Sequence, residues 1–320
     1  MWNVLLPSEI DPAGPESLSD IAQCTRMSEY ENQEAALEKI DEFDAIIVRV
    51  AELGATVIDR ADRLKVIAKH GSGLDNIDIQ SASERDIIVC NTPGANARSV
   101  SEHTIALLFG VCRQLCQADR HVRAGNWNRS AFTGNELQGK TLGLLGFGDI
   151  AQETAKLATA LSMEVIVYDP YVSISSTDVE QVDTVSTLFE LADVASIHVP
   201  LTESTRNMIS IKELQSLGES GIFLNTSRGG IVKKGALHRA LDNNDIAGAG
   251  IDTFRTEPPG ENHPLYEHET VLLTPHIGGV TDEALVRMSE QAAKNVRTVY
   301  EGNLPPTTVN RDALSTEVVG

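Results

Sequence analysis

Aromatic residues make up only 4% of the 320-residue chain, and long apolar runs are missing altogether. No stretch approaches the roughly 20 apolar residues needed to cross a bilayer, which excludes membrane-spanning classes. Cysteine is scarce as well: Cys24, Cys90, Cys112 and Cys116 form no C-x-x-C pair. Zinc ribbons and disulfide scaffolds are thereby removed, and no metal is expected. Cys112 and Cys116 read as core positions on one face of a long helix. Positive charge is in deficit, with 26 Lys and Arg against 46 Asp and Glu and a net charge of -20. Such a field repels nucleic-acid backbones and anionic membranes, so neither is expected as a partner. A small anionic ligand would need a local group of cations. The start, "MWNVLLPSEIDP", lacks the basic region of a signal peptide, and a cytoplasmic location is the expectation.

What is present is alternation. The length suggests two domains, each with its own core. "WNVLL", "DAIIVRV", "LKVIAKHG" and "DIIVCNT" read as strands separated by helical stretches, a βαβ series. A long helical pattern, "SVSEHTIALLFGVCRQLCQADRHVRAG", then opens at Ser99 or Ser101 and stops at Gly125. A second series follows from Lys140, with strands at "TLGLLG", "EVIVYD", "VASIHV", "GIFLNTS", "AGAGID" and "TVLLTP". Six such strands predict a doubly wound parallel sheet. The last amphipathic stretch, "DEALVRMSEQAAKNVRTVYEGN", is long enough to return to the first domain. The expected division is therefore residues 1-98 plus 285-320 for a discontinuous first domain and 99-284 for the second.

"TLGLLGFGDIAQETAKLATAL" joins a strand to a helix through Gly146, Gly148 and Ala151, a G-x-G-x-x-[GA] pattern. Glycine permits the tight turn and lets the backbone approach a pyrophosphate, whose charge the helix N-terminus meets. The next strand ends in Asp169, at the spacing of an acid that binds the adenosine ribose. A carboxylate there accepts from both ribose hydroxyls and repels a 2′-phosphate, which favours NAD over NADP. Asp149 puts a second carboxylate beside the turn, where it would oppose a pyrophosphate.

Three further strand ends carry chemistry: "NTSRGG" with Arg228, "GIDTFRTEPP" with Asp252 and Glu257, and "LTPHIGG" with His276. In a parallel sheet such ends gather at one edge. A guanidinium forks onto a carboxylate, an acid can hold an imidazole, and an imidazole exchanges protons near neutrality. Singly, each has a plainer reading as an ion-pair partner, a turn residue or a capping side chain; together they suit reduction of a 2-keto acid.

With "KHGSGLDNIDI", "NTPGANARSVSEHTIAL", "LQGKTLGLLGFGDIA", "VIVYDPY" and "LNTSRGGIV" added, the chain resembles the D-isomer specific 2-hydroxyacid dehydrogenases from about residue 40 to 305. Within that family the pattern is most similar to phosphoglycerate dehydrogenases and hydroxypyruvate reductases. The resemblance implies a flavodoxin-like substrate domain, a Rossmann NAD-binding domain, a cleft site between them and a homodimer. It implies that Arg228 orients the substrate, that His276 is the acid/base, and that Glu257 pairs with His276 to raise its pKa. It places NAD contacts at Gly146, Gly148, Asp149, Ile150, Asp169, Val199, Thr226, Ser227, Arg228, Asp252, His276 and Gly279. His103 and His198, in familiar stretches, read as helix support and packing.

For the substrate, "KHGSGLDNID" offers the amides of Ser72 and Gly73. Asn96 lies in "NTPGANARSV", and Arg49, Lys69 and Arg129 in stretches that resemble phosphoglycerate dehydrogenases. Those cations leave room for a second anionic group on a small 2-hydroxy or 2-keto acid of the 3-phosphoglycerate, hydroxypyruvate, glyoxylate or sulfolactate type. The chain departs from the family pattern at Ala151, at Asp149, where relatives are often basic, and at the basic "VKKGAL". Formate dehydrogenases of the superfamily carry glutamine where Glu257 stands, which argues against that activity. The alternative is an NAD-responsive, non-enzymatic protein of the corepressor type.

Overall fold

A computed structural model describes residues 1–174 and 178–319. The chain forms two compact units, Met1–Asn96 with Val280–Gly320, and Ala97–Gly279.

The first unit holds a five-stranded sheet. Its strands are β1 (Trp2–Leu6), β2 (Ala22–Arg26), β3 (Ala45–Val48), β4 (Val66–Lys69) and β5 (Ile88–Cys90). The spatial order is β2-β1-β3-β4-β5, every pairing parallel, which is the flavodoxin-like winding. β3 and β4 are buried at every position. Runs such as "AIIV" and "VIAK" that cannot alternate polar with apolar residues must be covered on both faces. One cover comes from the far end of the chain: Ala292, Ala293 and Val296 of the Asp282–Tyr300 helix pack with Val4, Ala45 and Ala68.

The second unit holds seven parallel strands: β6 (Thr141–Leu145), β7 (Glu164–Tyr168), β8 (Glu180–Gln181), β9 (Val194–Ile197), β10 (Ile222–Asn225), β11 (Gly248–Ile251) and β12 (Val271–Leu273). Their order is β12-β11-β10-β9-β6-β7-β8, the doubly wound order of a Rossmann sheet, in which direction reverses between β6 and β9. A ligand crevice opens outside the strand ends at such a reversal. One face is covered by the Ala97–Cys112 and Asp149–Ala160 helices, the other by a cluster around Phe189 and Phe223, both fully buried.

The long helix expected up to Gly125 is two helices, Ala97–Cys112 and Leu115–Arg123, broken where Gln114 takes a left-handed conformation at φ 51°. Cys112 is buried as expected, but Cys116 is exposed, because the second helix buries none of its residues. Among the described residues, no helix is long and apolar enough to cross a membrane.

Candidate active site

β6 delivers the chain to Gly146, which has φ +94°; a Cβ there would lie 3.0 Å from the His198 carbonyl and closer still to Val199. Only glycine brings the turn after β6 so near the turn after β9. Around Gly148 a Cβ would meet open space, and the Asp149–Ala160 helix that follows has no side-chain cap. Uncapped first-turn amides beside an open glycine fit a pyrophosphate. Ala151 is fully buried with Ala155 and Ala158 on the sheet-facing stripe, so its methyl is what the close helix-to-sheet contact accommodates. The side chain of Asp149 lies on an exposed residue at the helix start.

Asp169 is fixed by two backbone donors: Phe147 N–H to Oδ2 at 2.8 Å and Tyr171 N–H to Oδ1 at 2.9 Å. Each oxygen keeps a further lone pair for a ribose hydroxyl. The acid thus ties the glycine turn to the end of β7 and remains able to bind a diol. These features fit a nicotinamide dinucleotide.

Arg228 sits one turn after β10. Asn225, at the end of that strand and 1% exposed, braces the turn from both sides: its Oδ1 accepts from Ser227 N–H at 3.0 Å and its Nδ2 donates to the Arg228 carbonyl at 3.1 Å. The Ser227 hydroxyl donates to the Val199 carbonyl, and the Thr226 and Thr104 hydroxyls lie 3.0 Å apart. The arginine's Nη1 donates to the Ser227 carbonyl at 2.8 Å. Next in sequence, Gly229 packs so closely that a Cβ would sit 2.2 Å from the Phe254 carbonyl carbon. That contact joins the arginine turn to the loop of Glu257.

Glu257 accepts from Phe254 N–H at Oε1 (2.8 Å), and its Oε2 lies 2.7 Å from His276 Nδ1. Partial burial alone would raise the Glu257 pKa. The His276 and Phe254 hydrogen bonds, with the charges of His276 and Arg228, outweigh it and hold the carboxyl below its ordinary 4.5. With Nδ1 occupied, Nε2 is the nitrogen left to exchange a proton with a ligand.

His276 has φ +54°, a costly conformation for a side chain of this size. Its turn is over-determined by Asp252, which is 1% exposed. Asp252 Oδ1 accepts from Ile277 N–H at 2.9 Å and from the Thr274 hydroxyl at 2.6 Å, and Oδ2 accepts from Gly278 N–H at 2.8 Å; its carbonyl takes His276 N–H at 2.8 Å. His103 Nε2 approaches to 3.0 Å of the Thr274 hydroxyl and 3.4 Å of Oδ1. Burial pushes the Asp252 pKa up, but these four donors more than offset it and hold it at about 2. Asp252 reads in sequence as a cofactor contact; in the fold its carboxylate also anchors the histidine turn. Sequence reasoning also passes over Asn225, whose signal is an amide at a buried strand end beside an arginine. The other familiar histidine, His198, lies 2.9 Å from Ser196 Oγ, and burial lowers its pKa to about 4, consistent with packing.

The first unit holds the remaining candidates. The Lys69 ammonium is buried and donates to the Arg49 carbonyl at 2.6 Å and to Asn76 Oδ1 at 2.5 Å, while Asn76 Nδ2 donates to the Ala51 carbonyl at 2.6 Å. Lys69 therefore sets the backbone after β3, on which half-buried Arg49 stands. Ser72 and Gly73 follow β4 in a turn held by Gly71 N–H to Thr92 Oγ1 at 2.9 Å and by Asn91 Nδ2 to the Ser72 carbonyl at 2.9 Å. Asn96 is half-buried. In the second unit, Arg129 is exposed at the Arg129–Ala131 turn.

A family profile described as D-isomer specific 2-hydroxyacid dehydrogenase, NAD binding domain, matches residues 105–278. A hydroxypyruvate reductase of Thermotoga maritima is 38% identical, over 92% of this chain and 97% of its own length. A D-3-phosphoglycerate dehydrogenase of Methanocaldococcus jannaschii is 39% identical over 90% of this chain; the match spans only 56% of that enzyme. Among solved structures, the TT0316 protein of Thermus thermophilus superposes with a TM-score of 0.88 at 33% identity, covering 96% of this chain and 99% of the other. The chain belongs to the D-isomer specific 2-hydroxyacid dehydrogenase family.

Proposed function

We propose that the chain interconverts a small 2-hydroxy acid and its 2-keto acid with NAD as cofactor, Arg228, Glu257 and His276 forming the catalytic group. The observation that carries the reading is the 2.7 Å pair of His276 Nδ1 and Glu257 Oε2 in the unit that bears the glycine turn and Asp169. The nicotinamide, when bound, supplies or accepts the hydride at substrate C2. The protein handles the proton and the charge. In reduction, protonated His276 gives its Nε2 proton to the keto oxygen; in oxidation, the neutral ring takes the hydroxyl proton at the same atom. Glu257 keeps the ring in one orientation and offsets its positive charge. Arg228 holds the substrate carboxylate and polarises the carbonyl.

For the substrate, Ser72 and Gly73 are assigned to the carboxylate through their backbone N–H groups, and Asn96 to a further polar contact. Arg49, positioned by Lys69, is assigned to a second anionic group, and Arg129, in the other unit, is a separate candidate for one. This favours 3-phosphoglycerate, hydroxypyruvate, glyoxylate or sulfolactate chemistry over acids with large apolar side chains. The test follows NADH absorbance with hydroxypyruvate, glyoxylate, pyruvate, 2-oxoglutarate, 3-phosphohydroxypyruvate and sulfopyruvate, alongside His276→Asn. Asparagine tolerates a left-handed backbone, so that variant removes the imidazole with little strain. Turnover should fall by about 10²- to 10⁴-fold, the usual worth of a general acid, with NADH affinity retained. Near-normal turnover rejects the assignment of His276. Silence of the wild type across the whole panel, with NADH binding demonstrated, rejects the enzymatic reading in favour of an NAD-responsive binding protein.

A further inference from the structure

Away from the catalytic group, two imidazoles and a carboxylate converge on the second unit. His238 and Asp242 are four residues apart on one face of the Ala236–Asp242 helix, and His268 follows the Pro264–Glu267 turn. His238 Nδ1 lies 2.9 Å from His268 Nε2, His238 Nε2 lies 3.2 Å from Asp242 Oδ2, and Asp242 Oδ1 lies 3.6 Å from His268 Nε2. One donor atom from each of the three residues falls within 4.8 Å of the others. We propose that these residues form a binding site for a divalent transition-metal ion of the zinc type, with water completing the coordination.

The chemistry selects the class of ion. Two neutral imidazoles and one carboxylate suit zinc and its neighbours, whereas calcium and magnesium require mostly oxygen. Ligand bonds of about 2.0–2.1 Å in a tetrahedron place donor atoms roughly 3.3 Å apart. The observed 2.9 and 3.6 Å separations at His268 Nε2 bracket that value, and with all three donor atoms within 4.8 Å of one another, side-chain rotation, chiefly of Asp242, would complete the site. A proton bridging two imidazole nitrogens occupies a position that a metal can take, with release of that proton. Asp242 reaches both rings: Oδ2 lies at ion-pair distance from His238 Nε2, and Oδ1 faces His268 Nε2. The nearby His263 is not a fourth ligand, because its Nδ1 accepts Leu265 N–H at 3.4 Å and its ring stacks edge-on against Phe254. Solvent reaches the site, since the side chains of His238, Asp242 and His268 are 34%, 52% and 14% exposed.

Position gives the ion a consequence. The Ala236–Asp242 helix follows the turn of Arg228, and His268 lies on the segment between Glu257 and His276. Coordination would clamp the helix to the segment that joins Glu257 to His276.

The experiment is calorimetric titration of chelator-treated protein with ZnCl2, with thermal unfolding in parallel, for the wild type, His268→Ala, His238→Gln and Asp242→Asn. One ion should bind per chain, and Tm should rise by about 5 °C at a hundredfold excess over Kd. Loss of either imidazole should weaken binding by at least about tenfold and abolish the Tm rise. His238→Gln and Asp242→Asn, on the accessible helix face, carry the test if His268→Ala fails to fold. Absence of binding by the wild type overturns the proposal. So does binding of equal strength by the wild type and the His238→Gln variant, which would place the ion at His276 and Glu257 or at exposed Cys116.

Discussion

Asp252 Oδ2 accepts a 2.8 Å hydrogen bond from Gly278 N–H, so a carboxylate at the end of β11 caps the turn that holds His276 in a left-handed conformation. Asp252→Asn replaces an acceptor-only group with one that must turn an NH2 toward a backbone donor. At neutral pH the second unit should lose roughly 2–3 kcal/mol, the scale of a buried charged hydrogen bond left unmade. With His276 no longer held, kcat should fall about 10²-fold while circular dichroism at 25 °C stays native. Because the folded-state pKa of about 2 lies below the ordinary 3.8, the ionised carboxylate stabilises the fold fully above about pH 4. That contribution, roughly 2 kcal/mol, disappears as pH falls toward 2. Acid unfolding of the asparagine variant should lack this step; an identical acid profile would show that Asp252 does not carry it.

Glu257→Gln keeps a hydrogen-bond acceptor for His276 Nδ1 but removes the charge that offsets an imidazolium. The reductase pH–rate profile should drop by about tenfold or more, because the negative charge that offsets the imidazolium during proton transfer is gone. The Glu257 pKa lies below 4.5, so the wild type should show no loss from this group between pH 6 and 8. A glutamine variant whose profile superposes on the wild type would mean that the carboxylate acts only as a brace.

Much of this architecture is legible in the sequence where a local pattern carries it. The buried strands β3, β4, β6 and β9 announce themselves as apolar runs, and Gly146, Gly148 and Asp169 by their order along one strand-turn-helix-strand unit. What escapes is carried by distant partners or by weak elements. β2 is "AQCTR", an edge strand with one buried residue, and β8 is two exposed residues. The break at Gln114 uses neither glycine nor proline. The role of Asp252 depends on donors from Thr274, Ile277, Gly278 and His103, residues that no periodicity links to it. Likewise, His268 stands far along the chain from the His238 and Asp242 pair it joins.

Gly229 measures how tightly the arginine turn and the glutamate loop are joined. In Gly229→Ala the new methyl meets the Phe254 backbone at 2.2 Å, so one segment must move; in Gly230→Ala it meets the Leu201 side chain at 2.9 Å, which can rotate. The first variant should cost roughly 1–3 kcal/mol, the range for overpacking, and lower Tm by several degrees. It should also lower kcat/KM, since Arg228 and Glu257 separate. The second should be milder on both measures. Equal effects, or a harsher Gly230→Ala, would show that this contact does not set the spacing.

Asp169 is proposed to decide between the two nicotinamide dinucleotides, through charge as well as hydrogen bonding. Asp169→Asn leaves an oxygen to accept from Phe147 N–H or Tyr171 N–H, so the turn should persist with modest loss of stability. What it removes is the repulsion a carboxylate exerts on a 2′-phosphate and the charge-assisted bonds to the ribose diol, each on the order of 1.5–3 kcal/mol. The KM for NADH should therefore rise while that for NADPH falls. Their specificity ratio should shift toward NADPH by at least about tenfold, the equivalent of 1.4 kcal/mol. The measurement is kcat/KM with each cofactor at saturating keto acid. A wild type already indifferent to the 2′-phosphate, or a ratio unmoved in the variant, would transfer the selection to another residue around the glycine turn.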